Sequence, residues 1–315
     1  MKTPAYVGAL KQIALTKETT RGTAEDHASG DWQRHMGFDF GPKTEVVVDD
    51  AGKGRIEGRN QSHIIHEWSE GSVPLYVTDE NSVKINDLIF GQNASGAGTA
   101  GSPYVWTLAN INEHTAFTVH VYDPVEGYLK YALGMADSID LQFVHDDYIK
   151  ATIGIKAGKE ATGAGDAAYS TTEEIFRPSQ LTVKIATNYA GLDAASTIAM
   201  ASINLNVAKG AENFWSIGST EPDNTINQRF NVSGDFETLY SDDTYRTLGL
   251  ANTTRAIRIE ANSGTKLIRL DLPLVDFTNW NDAESNDDFM NETIEFNADR
   301  DDTNGMIIGQ VVNSV

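Results

Sequence analysis

Along most of this chain apolar and polar residues alternate with a period of two, where a helix would repeat every three or four positions. Such alternation sends successive side chains to opposite faces of an extended strand, so it predicts half-buried β-structure. Runs of this kind, rich in β-branched and aromatic residues, lie at Thr44–Val48, Phe117–Tyr122, Ser138–Phe143, Tyr148–Lys156 and Leu181–Ala186. They continue at Thr197–Val207, Phe230–Leu239, Ala256–Ala261, Lys266–Leu272 and Glu292–Phe296. Helical signals are few and short. Asn81–Phe90 follows the cap-forming residues Thr78, Asp79 and Glu80, and Thr244–Leu250 follows Ser241, Asp242 and Asp243. Gly91–Pro103 and Ala157–Thr172 are rich in Gly, Ala, Ser and Thr and have no period, so both read as loops. The pattern predicts an all-β chain with a few short helices.

The two halves of the chain echo each other. His145–Ala157 reads HDDYIKATIGIKA and Asn286–Ala298 reads NDDFMNETIEFNA, so that Asp146, Asp147, Thr152, Ile153 and Ala157 match Asp287, Asp288, Thr293, Ile294 and Ala298. Upstream, Gly71–Glu80 and Gly234–Asp243 both end in an acidic turn before a helix, and Phe117–Val121 and Ala256–Ala261 both lead to a hairpin, at Gly127 and Gly264. Three matches in one order point to an internal duplication of a β unit. The expected division is a first unit over 1–157, a linker over 158–178 and a second unit over 179–315.

Composition narrows the function. The 315 residues are 40% hydrophobic, enough for real cores. No apolar run approaches the ~18 residues a membrane span needs, and Met1–Pro4 lacks the apolar core of a secretion signal. Cysteine is absent, which excludes disulfides, thiolate zinc and a thiol nucleophile. A formal charge of −21 repels phosphate backbones, so the chain is not expected to grip nucleic acid, although DNA could slide past it.

Candidate chemistry is thin. Gly96, Gly98 and Gly101 form a literal G-x-G-x-x-G, and Gly163, Gly165 and Ala168 a looser one, but neither opens a helix after a strand as dinucleotide binding requires. His63 and His66 precede Glu67 in the wrong order for a zincin, and on a strand would serve as surface histidines beside Trp68. The acidic pairs Asp146/Asp147 and Asp287/Asp288 sit at turns, where a shared capping role explains their repetition. Asp299–Gly305 resembles a calcium loop, yet the EF-hand places for Gly and Glu hold Asn304 and Gln310. There is no G-x-S-x-G elbow and no Walker lysine. No catalytic residue, cofactor or metal is expected, and the chain does not read as an enzyme.

The second half resembles the tail tube proteins of long-tailed bacteriophages. The resemblance rests on the strand Ala201–Val207, the polar stretch Ala208–Arg229 with Gly218-Ser219-Thr220-Glu221-Pro222, the strand Phe230–Glu237 with Ser233-Gly234, and the late hairpin Leu270–Phe277. In the first half Leu15–Val46 corresponds to the long loop. Simple tube proteins are about half this length, so the resemblance implies a duplicated form with two tandem tail-tube-type β-sandwich or barrel units. It further implies homo-oligomeric rings, a trimeric pseudo-hexamer in preference to a hexamer, stacked into a tube through which genomic DNA passes without specific binding. Tape measure, tail terminator and distal tail proteins are the implied partners, in a virion tail assembled in the host cytoplasm. The long loops and the tail Gly305–Val315 are the expected inter-ring contacts, with Glu212, Trp215, Pro222, Asn224, Arg21, Trp32 and Arg34 as candidates. The alternative is a non-tube virion β-sandwich: a terminator, a baseplate hub, or a carbohydrate- or protein-binding module. A sugar binder would cluster its aromatics, but Trp32, Trp68, Trp106, Trp215 and Trp280 are dispersed along the sequence.

Overall fold

A computed structural model describes residues 7–28, 30–51, 54, 56, 58–165, 167–283 and 290–313. The first half holds β1 (Gln12–Lys17), β2 (Gly41–Asp49), β3 (Gln61–Tyr76), α1 (Asn81–Phe90), β4 (Tyr104–Thr107), β5 (Phe117–Asp123), β6 (Gly127–Val144), β7 (Lys150–Ala157) and β8 (Glu160–Thr162). The second holds β9 (Leu181–Ala186), β10 (Thr197–Ile198), β11 (Ser202–Ala208), β12 (Ala211–Phe214), β13 (Asn224–Asn227), β14 (Asn231–Leu239), α2 (Thr244–Leu250), β15 (Arg255–Asn262), β16 (Leu267–Ala283), β17 (Asn291–Ala298) and β18 (Ile308–Val312). Both helices occupy the expected residues. Among the described residues no helix is long and apolar enough to cross a membrane.

Every pairing is antiparallel, and one order occurs in each half. In the first it runs β1-β5-β6-β7-β3-β2, and in the second β9-β15-β16-β17-β14-β11. Register agrees as well as order. Gly71 opposes Ile155, and Gly234 opposes Phe296, its counterpart in the sequence echo. The register shifts fall at matching places, Phe117/Val119 and Arg255/Ile257 on one pair of strands, Ala136/Ser138 and Phe277/Asn279 on the other.

The matched glycines share a physical cause. A Cβ on Gly71 would lie 2.5 Å from the Phe40 Cα, and one on Gly234 would meet the Asn204 carbonyl oxygen and lie 2.5 Å from Phe296 Cζ. At both places a neighbouring backbone approaches too closely for any side chain. The acidic turn before α1 is also explained: the Thr78 hydroxyl accepts the Asn81 N–H at 3.1 Å while the Asn81 side chain accepts the Thr78 N–H at 2.8 Å. This reciprocal pair satisfies donors that a helix start leaves open.

Several expectations need correction. The Leu15–Val46 loop is shorter, because Leu15 lies in β1, 1% exposed, and Gly41 begins β2. In β1 the residues Ile13, Ala14 and Leu15 are all buried, so this strand is covered on both faces and shows no alternation. Thr197–Val207 is two strands, and Ala208–Arg229 contains the hairpin β12–β13. β16 runs eleven residues beyond Leu272, to Ala283, and the terminal segment carries β18, paired to β16 and β4. Segment 158–178 bears β8 and the buried Phe176, and is tied to the first half where Thr78 bridges Ile175. Asp287 and Asp288 lie outside the described residues.

A single apolar layer crosses both halves, from Ile13 and Leu75 through Ile139 and Leu205 to Phe236, Ile294 and Val311. The halves also share one sheet, because β11 pairs with β14 on one side and with β6 on the other.

Candidate channel face and assembly surfaces

Strand alternation puts a second, polar set of side chains opposite the apolar layer. Reading the register across β7, β6, β11, β14, β17 and β16, one row runs Thr152, Asp140, Asn206, Ser233, Asn297. The next runs Lys150, Gln142, Asn204, Asp235, Glu295, Asn279. The face is almost wholly Ser, Thr, Asn, Gln and carboxylate. In the first half Lys150 pairs with Asp147 at 2.5 Å and Lys156 lies opposite Glu70, whereas Asp235, Glu237 and Glu295 of the second half have no lysine or arginine among their paired neighbours. Asparagines hold the carboxylates in place: Asn204 donates to Asp235 at 2.9 Å, Asn291 to Glu237 at 2.9 Å, and Asn206 to Asp140. A shallow groove of about 380 Å³ follows this face between Lys150 and Asp235.

The β12–β13 hairpin folds back onto the first half. Arg21 donates to Asn224 Oδ1 at 2.9 Å and to the carbonyls of His114 and Thr225. Lys156 reaches the Ala211 carbonyl at 2.7 Å, and the Asn227 N–H reaches that of Asn112 at 3.0 Å. Lys209, 1% exposed, donates to the Leu88 carbonyl. Burial, reinforced by the nearby Arg21 charge, pulls the Lys209 ammonium down to about 7. Burial, then the Lys209 charge, takes His114 to about 4.

The candidate contact residues fall in different settings. Arg21 and Asn224 bond each other, Pro222 is buried, and Trp32 is 2% exposed with its N–H toward His27 Nδ1 at 3.4 Å. Arg34 pairs with Glu173. Glu212 is exposed and accepts from Gln228. Trp215 stacks on His66 at 4.3 Å and meets Trp68 edge-on at 6.0 Å, so folding gathers aromatics that sequence spacing separates. Sequence reading passed over Phe214 and Ile217, 57% and 108% exposed at the end of this hairpin. Large apolar residues in a Gly-, Ser- and Pro-rich stretch were the signal available. It also passed over the apolar β2–β3 arm, where Val46, Val47, Val48 and Ile64 are exposed.

Other candidate chemistry is internally satisfied. The Asp301 carboxylate accepts the N–H groups of Thr303 and Asn304 at 2.9 and 2.7 Å, which hold it below the usual carboxylate range. Among the described residues no group of three or more His, Asp or Glu side chains converges as metal ligands would.

A family model described as phage tail tube protein matches residues 8–299. No curated protein matches the chain.

Proposed function

The chain belongs to the phage tail tube protein family, and from that membership and its geometry we propose that three copies close each ring of the tube. The role is structural: a virion tail component that self-assembles into a tube with other tail proteins. The pairing order that occurs twice supports a duplicated unit, so that one chain fills two adjacent places and three chains complete a pseudo-hexameric ring. The units are the segments 1–157 and 179–315, with 158–178 as a connection that packs on the first unit through β8 and Ile175. Tape measure, terminator and distal tail proteins are its partners, and assembly takes place in the host cytoplasm.

The observation that carries this reading is the continuous polar face running from β7 across both halves to β16. Turned toward the tube axis, it lines a channel with neutral hydrogen-bonding groups and unpaired carboxylates. Lys150 and Lys156 on this face are held by Asp147 and by the Ala211 carbonyl, so phosphates meet no cationic clamp there and DNA stays hydrated and mobile. The exposed Phe214 and Ile217, with Glu212 and Trp215 beside them, and the Val46–Val48 arm are suited to contacts between rings, where their apolar surface would leave water.

Negative-stain images of the purified protein test the proposal. Hollow tubes, or rings of three chains in mass photometry, are expected. A stable monomer at all concentrations would overturn it. With Asp235→Lys/Glu237→Lys/Glu295→Lys, tubes should retain DNA at low salt while unmodified tubes do not.

A further inference from the structure

The join between the two halves supplies a template for a join between chains. Inside the chain, β11 lies along β6 in the register Ser202↔Val144 to Ala208↔Ser138. Next to its end Val207 opposes Ile139, and each is 0% exposed.

Each partner has a counterpart at the opposite end of the molecule. Matching β6–β7 to β16–β17 by register and by the shared shift places Asn279–Ala283 where Ser138–Gln142 stand. Matching β11–β14 to the strand beside β3 places Gly37–Lys43 where Ser202–Ala208 stand; Asp39 N–H bonds the Ser72 carbonyl at 3.2 Å there, and β2 follows. Among the described residues neither counterpart has a strand on its outer side. The Trp280 N–H is met by the side chain of its own neighbour, Asn279, at 3.1 Å. Where Val207 and Ile139 are fully buried, Pro42 is exposed and Trp280 is only half-buried. The chain thus holds one filled seam and, at its two ends, the complementary halves of another. Complementary but different edges join head to tail, and close a ring when the rotation permits.

We propose that a second copy of this chain lays Gly37–Lys43 along the free edge of Asn279–Ala283, pairing Lys43 with Asn279, Pro42 with Trp280 and Gly41 with Asn281. The inference rests on the ring reading and specifies its seam. Pro42 has no N–H to give, so this edge is one donor short and cannot template pairing as freely as an unbroken strand. Its carbonyl remains to accept the Trp280 N–H. The seam also carries Lys43 to the side of β16 on which Asn279 opposes the exposed Glu295, so the ammonium meets the acidic part of the sheet.

The chain has no cysteine, so introduced thiols report on one contact. The Asp39 bond turns the backbone groups of alternate residues, Gly41 and Lys43 among them, toward β3. At the seam Lys43 and Asn279 therefore form a close, non-hydrogen-bonded pair, with Cα atoms about 4.5 Å apart, within disulfide reach. Both side chains are exposed, and Lys43→Cys/Asn279→Cys should fold as the parent does. Under mild oxidation a reducible ladder ending at the ring size is expected, with none from either single variant or from Thr44→Cys/Asn279→Cys. Rings or tubes that form without that cross-link would overturn the seam while leaving the tube reading intact; parent protein that never leaves the monomer would overturn the tube reading itself. Should the double variant fold and fail to assemble, hydrogen exchange on assembled parent protein decides. At least tenfold slower exchange of the outward-facing amides, Phe40 on one edge and Trp280 and Asp282 on the other, is expected, and unchanged exchange there would overturn the seam.

Discussion

Replacing Arg258 by leucine removes the cation from a buried pair that ties β15 to β16, the strand whose far end carries the proposed seam. Arg258 and Asp271 oppose each other in register and are 5% and 3% exposed. The guanidinium meets the carboxylate in a fork, with bonds of 2.7 and 3.0 Å, and also reaches Asp193 on the surface. Arg258→Leu leaves the Asp271 carboxylate buried without its counter-charge, at a cost of about 3–5 kcal/mol. That is a large share of the ~5–15 kcal/mol that stabilises ordinary domains. Removing both charges in Arg258→Leu/Asp271→Leu removes the uncompensated anion too, and should return stability to within about 2 kcal/mol of the parent. Urea unfolding followed by tryptophan fluorescence, analysed as a double-mutant cycle, measures the difference. The single variant should lose about 1 M or more in midpoint, and the double variant should recover most of it. Equal losses in both variants would mean that shape, not the stranded carboxylate, sets the cost, and would refute the reasoning.

Gly234→Ala should destabilise by about 2 kcal/mol, because a methyl group there meets the Asn204 carbonyl and Phe296; Gly71→Ala should behave alike, and an unchanged melting temperature in either would contradict the close-approach account. Burial is the main cause that holds both His114 and His120 at about 4, below the 6.5 of an exposed imidazole. The unfolded chain therefore takes up those protons first, so the stability they confer is intact above pH 6.5 and lost as pH falls toward 4, by an amount on the order of 2 kcal/mol each. A His114→Gln/His120→Gln variant should show a flatter fall in urea midpoint between pH 7 and 4.5, and a slope equal to the parent's would argue against it. Arg21→Ala should loosen the β12–β13 hairpin, read as faster proteolysis within 211–227 with the rest of the chain still resistant. Phe214→Ser/Ile217→Ser should leave the melting temperature unchanged while shortening or abolishing tubes in micrographs; tubes of normal length would remove these residues from the inter-ring contact.

Sequence alone determined the features that depend on near neighbours along the chain. Period-two alternation marked strands such as β7 and β17, the turn Thr78–Glu80 preceded α1 where expected, and the segments that open at Gly71 and Gly234 showed the echo between the halves. The absence of cysteine is legible in the same way. Alternation failed where both faces of a strand are covered, as in β1, and for pairs such as β12–β13 whose polar residues are satisfied by distant partners. Tertiary structure decided which strand edges meet. Nothing local in Ser202–Ala208 says that it joins β14 to β6, because a strand offers the same N–H and C=O groups on either side. Only the completed sheet distinguishes the filled edge of Ser138–Val144 from the open one of Asn279–Ala283. The continuous polar face was likewise beyond sequence reading, because Thr152, Asp140, Asn206, Ser233 and Asn297 become neighbours only when hydrogen bonding sets one register across two halves of the chain.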